Sequence, residues 1–165
     1  MFEVKPIARE AIPEALQKVE RYRLLNEPAL AESICEDILR IEPHNQHALA
    51  MLLLTLTDQI GTGGSAAHAR AILPRFEQEY DRAYYAGIIA ERTARAMLHR
   101  GIPGATFDAY QNFREAMEWY ERAESLRHPG NDDAILRWNT CARILNRDQN
   151  LRPRPEESFE PVLGE

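Results

Sequence analysis

ILRIEPHNQHALA, residues Ile38 to Ala50, is the stretch that decides the reading of the fold. Its first half closes a helical stripe of Ala31, Ile34, Cys35, Ile38 and Leu39 that begins near Pro28. Glu42, Pro43, His44 and Asn45 then make a turn, and a strongly apolar helical run starts at Gln46. Helix, short turn, helix is a unit that cannot bury its apolar face alone, so the same pattern is expected on either side of it.

Working back, a first helix is predicted from about Pro13 to Leu25, with Ala15, Leu16, Val19 and Tyr22 at helical spacing and Pro13 suited to its first position. Working forward, the helix from Gln46 to about Gln59 should be the most buried, and Gly61 to Gly64 break it. A fourth begins near Ser65, with an apolar stripe of Ala66, Ala69, Ile72, Leu73 and Phe76 that Pro74 should kink or end. The fifth, about Tyr80 to Arg100, has a broad apolar face on which Gly87 marks a close helix crossing. Gly101 to Gly104 turn the chain into a sixth, about Thr106 to Leu126 with Thr106 as candidate cap, and a seventh follows from about Asp132 to Asn146. Ile135, Trp138, Ala142 and Leu145 are its inward-facing candidates. No strand pattern emerges, so the fold class is all-α.

The segments opening at Ile12, Gln46 and Tyr80 lie 34 residues apart. Through Ala15, Val19, Tyr22, Ala31, Cys35, Ile38 and Pro43, then Leu49, Leu52, Leu53, Leu56, Ala69 and Ile72, and finally Ala83, Ala86, Gly87, Ala116, Tyr120 and Ala123, the chain resembles the tetratricopeptide repeat family. The likeness is good at the first junction; further on, Glu77 stands where the closing proline belongs and several consensus aromatics are missing. It implies a right-handed superhelix of helical hairpins: about three repeats (near 12–45, 46–79 and 80–130) plus a C-terminal capping helix (131–146), flanked by an N-terminal arm (1–11) and a polar, flexible tail (147–165). The third unit exceeds the period, which is read as extension of both its helices around Gly101 to Gly104.

The same resemblance implies a concave face lined by the first helix of each unit. On it the candidate partner-binding residues are Glu20, Arg23, His47, Asp58, Asp81, Tyr84, Ile88, Arg92 and Asn139. Mixed apolar and charged groups suit a protein or peptide partner. A basic strip, Arg92, Arg95, His99 and Arg100, reads first as a solvated face and second as a contact for an acidic partner or a phosphate.

The 165 residues carry a formal net charge of -6, which argues against wrapping nucleic acid. Hydrophobic residues make up 44%, enough for a real core, while no apolar run approaches the length of a membrane span. No signal peptide is visible at the start, and a cytoplasmic protein is expected. Cys35 and Cys141 read as buried thiols, with a bridge between them left open. GTGGSAAHAR, from Gly61, lacks the lysine and spacing of a phosphate loop, and His44, His47 and His68 have no partners to complete a metal site. No nucleophile–base set is recognisable, so neither cofactor nor enzymatic activity is expected. The function expected is a protein- or peptide-binding adaptor. The alternative is a structural, self-associating helical module, such as a homodimer sealed through Tyr84, Tyr85, Ile88 or Trp138. Trp138 is assigned to core packing, while Trp119 is left open between core and interface.

Overall fold

The computed structural model describes residues 1–155. Seven α-helices lie among them: α1 (Ile12–Leu24), α2 (Pro28–Ile41), α3 (Gln46–Asp58), α4 (Ala66–Arg70), α5 (Glu79–Arg100), α6 (Ala105–Leu126) and α7 (Asp133–Arg147). Each packs on the next in sequence, and the 3-10 turn Leu73–Arg75 joins α4 against α5; α1 also touches α3, and α3 touches α5. The architecture is thus an all-helical array built by sequential packing.

Local chemistry sets the helix ends. Asn45 caps α3 by accepting from the Ala48 amide at 2.9 Å, and Ser65 caps α4 by accepting from Ala67 at 3.2 Å. Gly101, at φ 61°, ends α5 in the left-handed region that a side chain disfavours. Two expected ends move. Thr106 lies inside α6, because Gly104, at φ 82°, takes the cap position two residues earlier. The fourth helix stops at Arg70, since Pro74 has no amide hydrogen for the Arg70 carbonyl and its ring would press on it. Its stripe is nonetheless buried at Ala69, Ile72 and Phe76, which the 3-10 turn carries inward.

The core has two parts. Val19, Ala31, Cys35, Ile38, Leu49, Leu53 and Phe76 join the first four helices. Phe113, Ala116, Tyr120, Ala134 and Cys141 join the last three. Helix α5 belongs to both: Ile89 packs in the first and Ile88 in the second, while Tyr85 touches each. The two thiols are free, buried and in different clusters, which closes the question of a bridge. On α7 the fully buried residues are Ala134 and Cys141, with Trp138, Ala142 and Leu145 only partly covered beside them. Beyond α7, Leu151 is buried in the second cluster and Arg154 stands over the Phe107 ring while pairing with Asp108. The rest of the expected tail, 156–165, lies outside the described residues.

Candidate functional site

Of the expected inner-face residues, charged ones on α1, α3 and α5 meet one another. Arg23 of α1 makes a two-pronged bond to Asp58 of α3, Nε to Oδ2 at 2.7 Å and Nη2 to Oδ1 at 3.2 Å. Arg92 of α5 stands 3.7 Å from the same carboxylate. Helices α1, α3 and α5 therefore meet at one acid. Glu20 and His47 meet at 3.8 Å on the exposed side of the α1–α3 contact.

The remaining candidates scatter. Ile88 is a core side chain, 1% exposed, and has no surface to offer. Asp81 is half-buried, and burial pushes its carboxyl above the usual carboxylate range. Tyr84 lies between aromatics, stacked with Tyr80 at 5.8 Å and edge-on to Tyr85 at 5.2 Å. Tyr84 also lines a hollow of about 250 Å³ with Asp133, Leu136, Arg137 and Thr140. Asn139 is half-buried and does not line that hollow.

A second surface was not evident in the sequence. Between the Leu73–Pro74 turn and α6, a groove runs beside α5. Ala83, Ala86 and Ala90 floor this groove, and Trp119 of α6, 40% exposed, walls it. Two adjoining hollows of about 440 and 170 Å³ share Leu73, Ala86 and Trp119. The rim carries both signs of charge: Arg70, Arg82 and Arg122 with Glu79 and Glu115. Glu79 and Arg122 are paired, and that guanidinium holds the carboxyl below its usual range. The sequence signal was Pro74 followed by alanines on α5, but alanine also reads as close helix packing, so spacing alone does not announce a groove.

Glu91 is the other residue that sequence reasoning underrated. Its side chain is 1% exposed, accepts from the Tyr120 hydroxyl at 2.7 Å and from Arg95 at 2.9 and 3.1 Å, and has Arg137 at 3.4 Å. Tyr120 reaches it by lying directly on Gly87, where a Cβ would come within 2.5 Å of the ring. The close crossing expected at Gly87 is therefore present. With four donors accounted for, this is a structural polar knot rather than a free acid.

Trp119 and Trp138 divide their roles. Trp138 packs against the second cluster and donates to Glu121 at 3.0 Å. Among the described residues, no cluster of His, Cys, Asp and Glu gathers in metal-binding geometry, and no helix is long and apolar enough to cross a membrane. No protein-family model, curated protein or solved structure matches the chain.

Proposed function

We propose that this chain is a non-catalytic structural module that pairs with a second copy of itself through the groove beside Trp119. The observation that carries the reading is an exposed indole standing over an alanine-floored groove on a helix pair. Large aromatics anchor interfaces when a shallow apolar floor receives them. Helices α5 and α6, 22 residues each, run about 33 Å, which is long enough to carry such a contact. The mixed rim favours a like partner, because a two-fold rotation can set its arginines against its glutamates.

The same proposal takes α1–α2, α3–α4 and α5–α6 as three tetratricopeptide-like hairpins with α7 as cap, supported by the packing of α1 on α3 and α3 on α5. A cytoplasmic setting belongs to it as well. The adaptor reading loses ground because Arg23 and Asp58 bond to each other, with Arg92 beside the same carboxylate at 3.7 Å. Its remaining support is the hollow at Tyr84 and Arg137, beside which Leu136 is 62% exposed.

Sedimentation velocity on wild type, Trp119→Glu and Trp119→Phe tests the proposal. The expected outcome is a dimer for wild type and Trp119→Phe, and a folded monomer for Trp119→Glu. A wild type that stays monomeric overturns it in favour of the adaptor reading, and a Trp119→Glu variant that stays dimeric moves the interface off this groove.

A further inference from the structure

A separate hollow of about 330 Å³ opens where α3 ends against α5, and it shares no lining residue with the groove at Trp119. Arg92, Arg95, His99 and Arg100 line it along two turns of α5, together with Asp58, Ile60, Gly61 and Thr62. The Gly61 turn lies close on α5, where a Cβ would meet Ala96 at 3.2 Å, so the loop is seated firmly beside the basic side chains.

Two charge balances matter. Asp58 is already doubly bonded by Arg23, which leaves Arg92 at 3.7 Å with its donors largely unused. Glu91 is shared by Arg95 and Arg137. Arg100 and His99 have no carboxylate partner among the described residues. Three guanidiniums thus face one occupied carboxylate in a chain whose net charge is -6. Cations in the last turn of a helix are ordinarily explained by its carbonyl dipole. That accounts for His99 and Arg100, and Glu91 accounts for Arg95, but neither explains Arg92, two turns earlier on the same wall.

We infer that this hollow binds the phosphoryl group of a small organic phosphate. Convergent guanidiniums match a phosphate dianion in geometry and charge, whereas a single carboxylate would leave the surplus unmet. The volume suits a small ligand. Its uncharged lining is Thr57, Ile60, Gly61, Thr62 and Ala96.

Calorimetric titration of the full chain with glycerol phosphate at low salt, with glycerol as blank, tests the inference. Wild type and a distant Arg143→Gln control should bind alike. Arg92→Gln/Arg100→Gln should bind about tenfold more weakly or worse, as loss of charge-assisted bonds implies. His99→Glu, which alters an exposed side chain and spares the Arg23–Asp58 tie, should lose binding while keeping its melting temperature. Absence of binding by wild type, or equal binding by both pocket variants, overturns it.

Discussion

Glu91 shows how much a single side chain organises. A buried carboxylate is costly unless its oxygens are satisfied, and here one oxygen depends on Tyr120 alone. Tyr120→Phe should therefore lower unfolding stability by about 1–3 kcal/mol, as expected for a buried acceptor left unpaired, measurable by urea denaturation. Gly87→Ala should cost a similar ~1–3 kcal/mol by overpacking, because the Tyr120 ring it strikes is fully buried and has nowhere to move. Burial also pushes the Cys35 and Cys141 thiols up to about 12 from the usual 9.0. The folded chain then keeps protons that the unfolded chain releases. The stabilisation is complete below pH 9.0 and is lost as pH rises toward about 12. Burial raises the Tyr85 and Tyr120 hydroxyls in the same direction. The urea midpoint should fall steadily over that alkaline range, and neither thiol should alkylate at pH 8 until the chain unfolds. The role of Gly87 could be read from sequence, since a glycine costs stability inside a helix and needs a reason. The burial of Glu91 could not, because a glutamate between helical stripes reads as solvated until Tyr120, 29 residues on, is known to reach it.

At the scale of elements, turn chemistry carried most of the prediction. The Pro43 turn, the Gly61–Gly64 break and the Gly101–Gly104 turn each fall between helices where expected. Asn45→Ala should cost about 1 kcal/mol through loss of the α3 cap, read as a drop in melting temperature. The fourth helix was legible only as a buried stripe. A proline inside that stripe can kink a helix or stop it, and the outcome depends on how the following turn packs. Here it stops, and the Leu73–Pro74 turn borders the groove beside α5. The inner-face residues were placed by spacing alone, which fixes the side of a helix but not the partner. That is why Arg23 and Asp58 came together as neighbours on one surface while Ile88, set between two helix layers, turned into the core.

Across the whole molecule, α5 is the spine on which both clusters depend, with the adjacent Ile88 and Ile89 packing into different ones. In a sequential array an end element has a neighbour on one side only and opens at lower free energy than the interior. Amide exchange should therefore be slowest in α5 and α6 and fastest, among the long helices, in α1. Uniform protection from α1 to α7 would mean that the chain opens only as a single unit. The central claim concerns what covers the groove at Trp119, and molar mass in solution tests it most directly. Static light scattering across a concentration series should give about twice the chain mass of 18.9 kDa, falling toward the single-chain value only on dilution. A mass fixed at that of one chain up to the highest concentration would contradict the account.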